Sequence, residues 1–165
     1  MQTKNKIIKR QNAFKVLKNN TETGQSIVFT NGCFDILHSG HVSLLERAKS
    51  LGDILFLALN TDESVKRLKG EKRPINDQKE RARIVAGLEA VDYVTFFSED
   101  TPKKIIKEVN PDILVKGGDY KPEEVIGRKH VEKSGGEVIT LPLKKGKSTT
   151  NLIDKITGLY CKKLR

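Results

Sequence analysis

The sequence predicts an α/β domain in which a parallel sheet is covered by helices on both faces, and three observations carry that expectation. From Ser26 onward, short apolar runs rich in β-branched residues alternate with amphipathic stretches, the order of strand, crossover helix and parallel strand. One run, Ile54-Leu55-Phe56-Leu57-Ala58-Leu59, is apolar without interruption, as a strand buried on both faces must be. The chain has 165 residues, the length of one domain whose core can fold without disulfides or metals.

The elements follow in order. Residues 1–24 are polar and basic with few hydrophobes (Ile7, Ile8, Phe14, Val16, Leu17), so they are expected to form a basic N-terminal extension with a short peripheral helix ending in a turn at Thr23-Gly24. Residues 25–165 make up the domain proper. Strands are expected at 27–30, 54–60, 93–97, 113–116 and 138–141, and helices at 42–51, 78–88, 102–109, 123–133 and 148–156. Asp77 with Glu80 three residues later has the form of a capping box. Thr101-Pro102 sets a cap ahead of a proline at the first helical position. Gly52, Gly117-Gly118 and Gly135-Gly136 punctuate the connections, and residues 26–157 contain no linker long enough to divide them.

Composition bounds the function. The formal charge is +10, from 31 Lys and Arg against 21 Asp and Glu, which calls for a negative partner: nucleic acid, an acidic membrane surface or a phosphorylated metabolite. Aromatic residues are 5% of the chain and Trp is absent, so the stacking platforms of a single-strand nucleic-acid binder are missing. The longest apolar run is far below the roughly 20 residues of a membrane span. Lys4, Lys6, Lys9 and Arg10 are not followed by an apolar segment with a cleavage site, so no secretory signal is read and a cytoplasmic location is expected. Cys33 and Cys161 lie far apart without metal-ligand spacing and are expected as free thiols.

Ligands of open parallel sheets sit beyond the carboxyl ends of the strands. There, Thr30 to His41 leads from the first strand into a helix. His38 and His41, three residues apart at a helix entrance, project from one side of its first turn, and Gly40 between them lets a bulky group approach the backbone. A helix N-terminus offers free N–H groups and positive potential to phosphate oxygens. Gly32 supplies a turn. Two imidazoles without a third ligand nearby make no recognisable zinc site.

The segment Gly32-Cys33-Phe34-Asp35-Ile36-Leu37-His38-Ser39-Gly40-His41 resembles the G-x-F-D-x-x-H-x-G-H signature of the cytidylyltransferase-like nucleotidyltransferases. Further matches run through Leu51-Gly52-Asp53, Asn60 to Val65, Arg67-Leu68-Lys69-Gly70, Arg73-Pro74-Ile75-Asn76, Val91 to Val94, Val115-Lys116-Gly117-Gly118-Asp119-Tyr120 and Ser148-Thr149-Thr150. Together they resemble the D-glycero-β-D-manno-heptose 1-phosphate adenylyltransferase branch over residues 25–158.

The resemblance implies a Rossmann-like, doubly wound fold, usually dimeric. It implies that a heptose 1-phosphate attacks the α-phosphate of ATP, normally with Mg²⁺, giving ADP-heptose for the lipopolysaccharide core and releasing pyrophosphate. Many relatives carry this domain fused behind a sugar kinase, so a separate heptose 7-phosphate kinase and phosphatase are expected as partners of this one. By the same resemblance, His38, His41 and Lys69 are the catalytic residues. Gly32, Cys33, Phe34, Gly40, Gly118, Asp119, Ser148, Thr149 and Thr150 bind the nucleotide, and Asp35, Arg67 and Arg73 face the sugar phosphate. No metal ligand is assigned. Such in-line transfer asks for alignment of two anions and neutralisation of charge, not for a strong base.

Two departures bear on the choice of substrate. The arginine that cytidylyltransferases carry after the last strand is replaced in Leu141-Pro142-Leu143-Lys144-Lys145, and another before Val91-Asp92 appears as Glu89. Both count against the alternative, a cytidylyltransferase acting on an alcohol phosphate such as glycerol 3-phosphate. They leave phosphate neutralisation in that region to Lys144, Lys145 or Lys147. A nucleic-acid-binding module is the rival from another class.

Overall fold

The computed structural model describes residues 2–160 apart from Asp119 and Lys145, with Phe14, Lys18 to Thr21 and Pro122 described by their backbone. The expectations attached to Asp119, Lys145 and Cys161 therefore lie outside the described residues. Five strands, β1 (Ile27–Gly32), β2 (Ile54–Asn60), β3 (Tyr93–Phe97), β4 (Ile113–Gly117) and β5 (Glu137–Leu141), form one sheet in the order β3-β2-β1-β4-β5. Every pair is parallel. The helices are α1 (Thr3–Lys6), α2 (Arg10–Glu22), α3 (Ser39–Lys49), α4 (Asp62–Lys69), α5 (Gln78–Ala86), α6 (Lys103–Val109), α7 (Arg128–Lys133) and α8 (Thr149–Tyr160). Among the described residues, no helix is long and apolar enough to cross a membrane.

The uninterrupted apolar run of β2 is explained by its two faces. Leu55, Leu57 and Leu59 join one core cluster with Leu44, Leu45 and Ala48 of α3 and Ala82, Val85 and Ala86 of α5. Phe56 and Ala58 point the other way, into a cluster with Ala13 and Leu17 of α2, Ile105, Ile106 and Val109 of α6 and Val131 of α7. The period of two puts successive residues on opposite faces, so both faces of a central strand must be apolar. The chain winds outward from β1 through β2 to β3, then crosses back to place β4 on the other side of β1. The switch point between β1 and β4 is where a doubly wound sheet opens a crevice. This is the single-domain, Rossmann-like arrangement that the resemblance implies.

Three local departures from expectation have physical causes. The stretch after β2, outside the helices expected from the sequence, is helix α4: Thr61 Oγ1 accepts from the Ser64 N–H, Asp62 and Glu63 favour the positive N-terminus, and Ser64 and Val65 are buried. The helix expected over 123–133 is broken, because Gly127 adopts φ 98° and a Cβ there would stand 2.7 Å from Ile106. A short 3₁₀ turn (Pro122–Glu124) precedes the break and α7 follows it. Residues 1–24 are also tied to the sheet. Ile7 bridges Val94 in parallel, the Thr95 hydroxyl donates to the Ile8 carbonyl, and Ala13 and Leu17 are buried. The segment covers the β3 edge, which would otherwise present unpaired backbone groups.

Candidate active site

Beyond the carboxyl ends of β1, β2 and β4 lies a cavity of about 510 Å³. Its wall from β1 is Asn31, Gly32, Cys33, Phe34 and Asp35, with His41 from α3. Asn60 closes the end of β2. Lys69 and Arg73 come from α4 and the loop after it, Lys116 from the end of β4, and Ser148, Thr149 and Thr150 from the entrance to α8.

The turn out of β1 is shaped by Phe34, whose φ of 45° is left-handed for a non-glycine residue. Its ring folds back over Gly32, where a Cβ would meet it at 2.9 Å, and lies 4.9 Å from the His41 ring. His38 forms the N-cap position of α3 without a side-chain cap bond. Its imidazole stacks on that of His41 with 3.7 Å between ring centres, and the Nδ1 atoms of both rings are buried without a hydrogen-bond partner. Burial, then the neighbouring His38, pushes the His41 pKa down to about 4, and burial with the charge of Lys147 lowers that of His38. Both rings are neutral at pH 7. Gly40 is buried in the first turn of α3, where a Cβ would stand 3.0 Å from the His38 ring and 3.2 Å from Lys147.

Asp35 belongs to the frame of the cavity. Its carboxylate, fully buried, accepts from the backbone N–H groups of Ile75 and Asn76 at 2.9 Å and from Arg73 Nε at 2.6 Å. Burial would raise its pKa, but those donors outweigh it and hold the group below its ordinary value. Asp35, expected at the sugar phosphate, thus lines the cavity and also anchors the 73–76 loop. Arg67, also expected at the sugar phosphate, pairs with Asp100 at 2.7 Å and donates to the Ser98 carbonyl. On α4 it does not line the cavity, whereas Lys69, two residues on, does.

Sequence reading overlooked Arg81. It is fully buried and donates to the carbonyls of Asn76, Cys33 and Asn60 and to Asp62 Oδ1 at 2.6 to 3.1 Å. It therefore joins the ends of β1 and β2 to the 73–76 loop. A charged residue in register with Val85 on the buried face of α5 was the available signal. Asn31, Asn60, Leu68 and Tyr120 also line the cavity, residues that lie within the segments singled out above but to which no role is assigned from the sequence.

At the opposite wall the Ser148 Oγ accepts from the Asn151 N–H at 3.0 Å and so caps α8, while Thr149 Oγ1 donates to the Ile36 carbonyl. These bonds hold the start of α8, with its free N–H groups, against the β1–α3 turn. Gly118 has φ 134° and donates its N–H to the Leu141 carbonyl. Cys33 is a free thiol whose pKa burial pushes up against the charges of Lys69, Arg81 and Arg73. Among the described residues no group of three or more His, Cys, Asp or Glu side chains could hold a metal ion, and Asp35 has its oxygens occupied. The described residues do not form a metal cage of their own.

The arrangement is a cationic, hydrogen-bond-donating cavity with neutral imidazoles at a helix entrance, suited to polyphosphate. Comparison with known proteins agrees with it. The chain is 58% identical over 149 residues to the bifunctional protein HldE of Actinobacillus succinogenes, a match covering 90% of this chain and 31% of that one. It is 58% identical over 137 residues to the bifunctional protein HldE of Geobacter metallireducens, covering 83% and 28%. The chain thus spans about a third of the length of these curated relatives. Among solved structures, the lipopolysaccharide core biosynthesis protein of Thermoplasma volcanium is 35% identical with a TM-score of 0.61, covering 75% of this chain and all of that one. The pantoate-beta-alanine ligase of Francisella tularensis, 20% identical with a TM-score of 0.60, shares the fold. The family model for cytidylyltransferase-like proteins matches residues 29–155, which takes in the turn of Gly32 to His41, both walls of the cavity and the first half of α8, and to that cytidylyltransferase-like family the chain belongs.

Proposed function

We propose that the chain transfers the adenylyl group of ATP to D-glycero-β-D-manno-heptose 1-phosphate, giving ADP-heptose and pyrophosphate for lipopolysaccharide core synthesis. The observation that carries this reading is neutral His41, backed by the stacked ring of His38 and lining one cavity with Ser148, Thr149 and Thr150 on one side and Lys69 and Arg73 on the other. An acceptor phosphate oxygen attacks the α-phosphorus, a new P–O bond forms, the bond to the β-phosphate oxygen breaks, and pyrophosphate leaves with that electron pair. The acceptor is already ionised near neutral pH, so the site needs no base. Its work is to align and neutralise.

In this mechanism His41 and His38 donate N–H hydrogen bonds to the triphosphate without the repulsion that a second positive ring would meet. The free N–H groups of the first turn of α8 face the leaving pyrophosphate. Lys69, exposed and without a carboxylate partner among the described residues, neutralises charge between the two phosphates. A divalent ion, Mg²⁺ in the proposal, would arrive with the triphosphate and would supply charge neutralisation there, since that ion is commonly held by substrate phosphates and not by an all-protein cage. A cytoplasmic homodimer, supplied with sugar phosphate by heptose 7-phosphate kinase and phosphatase reactions, completes the reading.

Pyrophosphate release with ATP or CTP against heptose 1-phosphate, other sugar 1-phosphates and glycerol 3-phosphate tests it. ATP with heptose 1-phosphate is expected to be the productive pair, and His41→Ala is expected to abolish transfer with the fold intact. Near-normal turnover in that variant, or preference for CTP with glycerol 3-phosphate, overturns the reading.

A further inference from the structure

The cations around the cavity divide into those with a counter-ion and those without. Arg73 is neutralised by Asp35, Arg81 by Asp62 and Arg67 by Asp100. Lys116 is half-buried at the end of β4, and among the described residues its ammonium has neither a carboxylate partner nor a hydrogen bond. The Tyr120 ring lies beside it, 5.9 Å from the ammonium to the ring centre. A cation drawn from water without a partner is costly. Here burial and the charge of Lys69 both press the ammonium toward its neutral form.

The position of Lys116 says what would repay that cost. It stands at the switch point between β1 and β4, on the wall of the main cavity and also of a side cavity of about 130 Å³ lined by Leu114, Val125 and Ile126 together with Asn31, Tyr120 and Glu124. Lys69 and Lys116 line the same cavity as Cys33 at the end of β1; Lys69 acts electrostatically on the Cys33 thiol, and Cys33 and Lys69 act on Lys116. Lys147 acts on His38 at the entrance of α3 instead. The positive charge without a counter-ion among the described residues therefore forms two groups, one at Lys147 beside His38 and the start of α8, and one at Lys69 and Lys116. In-line transfer brings two anions together, and each needs its own neutralising group.

We propose that Lys116 is a specificity-determining residue that holds the phosphate monoester of the acceptor through its ammonium, while the triphosphate is held at the histidine wall. The inference rests on the adenylyl-transfer reading above and adds to it where the second substrate sits. The side cavity next to Lys116, with Asn31, Tyr120 and Glu124 among its lining, then lies within reach of the group esterified to that phosphate. Methionine has nearly the shape of lysine without the charge, so Lys116→Met keeps the packing of β4.

The test is steady-state pyrophosphate release by Lys116→Met and Lys116→Arg, with heptose 1-phosphate varied at saturating ATP, together with calorimetric titration of ATP alone. Loss of one charge-assisted bond to phosphate predicts that the methionine variant raises the acceptor KM about 10- to 100-fold, that its ATP affinity stays within twofold, and that arginine restores part of the loss. A weakened ATP affinity with the acceptor KM unchanged overturns the proposal, and so does no change in either. Failure of the adenylyl-transfer reading is visible separately, as wild-type protein that binds ATP but transfers to no sugar phosphate. In that event the fluorescence of the tyrosines, in a chain without Trp, is followed on titration with inorganic phosphate. Saturable binding to wild type that is lost in Lys116→Met supports Lys116 as an anion site, and equal binding by both overturns it.

Discussion

The imidazoles of His38 and His41 lie face to face, 3.7 Å between ring centres and 20° from parallel. Two cationic rings in that geometry repel, and burial already disfavours the charge on each. The His41 pKa stands near 4 against an ordinary 6.5, which makes the stack a source of acid sensitivity. A histidine whose folded pKa is depressed contributes stability that is complete above the unfolded value and is lost as pH falls through the interval down to the folded one. The window here runs from about pH 6.5 to about pH 4. After allowance for solvent screening the contribution is on the order of 1 to 2 kcal/mol.

His41→Asn removes that titration. The expected outcome is that the urea midpoint of the wild type falls more steeply than that of His41→Asn between pH 7 and pH 4.5, whatever the difference in their values at pH 7. Parallel pH profiles for the two proteins would mean that His41 titrates normally in the folded chain.

Asp35 and the 73–76 loop form a second unit. The carboxylate accepts two backbone N–H groups and Arg73 Nε, and its pKa is held below 3.8. An amide at this position turns an NH₂ group toward donors and leaves Arg73 without its partner. Asp35→Asn is expected to lose about 3 kcal/mol of folding stability at pH 7 and to disorder the loop that carries Arg73. Linkage gives the sign: a carboxylate with a lowered folded pKa stabilises above its unfolded value, and that advantage fades as pH falls below about 4. Equilibrium urea unfolding at pH 7 and pH 4 measures both. A variant within 1 kcal/mol of wild type at pH 7 would place the loop's anchorage elsewhere.

What could be read from the sequence, and what could not, divides by range of interaction. Strand β2 was legible because a strand buried on two faces is apolar in every register. The histidine turn was legible because its spacing, its glycine and the following helix are all local. Helix α4 was not, since Asp62 to Lys69 is mostly charged and owes its form to one cap and two buried side chains. With α4 came the turn of Arg67 away from the cavity. Ile7 and Ile8 make too short a run to read as a strand, and their pairing with β3 depends on an edge formed 86 or more residues later. Arg81 looks like solvent-facing charge until the register of β1 on β2 brings the Cys33 and Asn60 carbonyls to one place.

That convergence makes Arg81 the residue whose loss should be felt most in stability. It has no exposed surface and meets three carbonyls and one carboxylate. Arg81→Met fills most of the volume but leaves those acceptors buried and unpaired, at a cost of about 3 to 5 kcal/mol. Arg81→Lys keeps the charge without the fork that reaches two strand ends at once, so it should fall between. Urea unfolding gives the order wild type, lysine, methionine. Equal midpoints for the three would show the acceptors to be satisfied without the guanidinium.

Gly40 separates the demands of the fold from those of the site. In the first turn of α3 an alanine is favoured over glycine by about 0.5 kcal/mol in backbone entropy, and the position does not require a left-handed backbone. The added methyl, however, would stand 3.0 Å from the His38 ring and 3.2 Å from the Cβ of Lys147. The ring is the more easily displaced of the two, because its Nδ1 is held by no hydrogen bond. Moving it disturbs the stack on His41, and a catalytic group shifted by a fraction of an ångström loses alignment with its phosphate. Gly40→Ala is therefore expected to keep its thermal midpoint within a few degrees of wild type while kcat for pyrophosphate release falls about tenfold or more. Circular dichroism melting and turnover on the same preparation check the two halves together. If kcat is unchanged and the protein is as stable as wild type, His38 has room to accept the methyl and its stack with His41 does not set the rate. If stability collapses with activity, the glycine is there for packing, and the site has no separate claim on it.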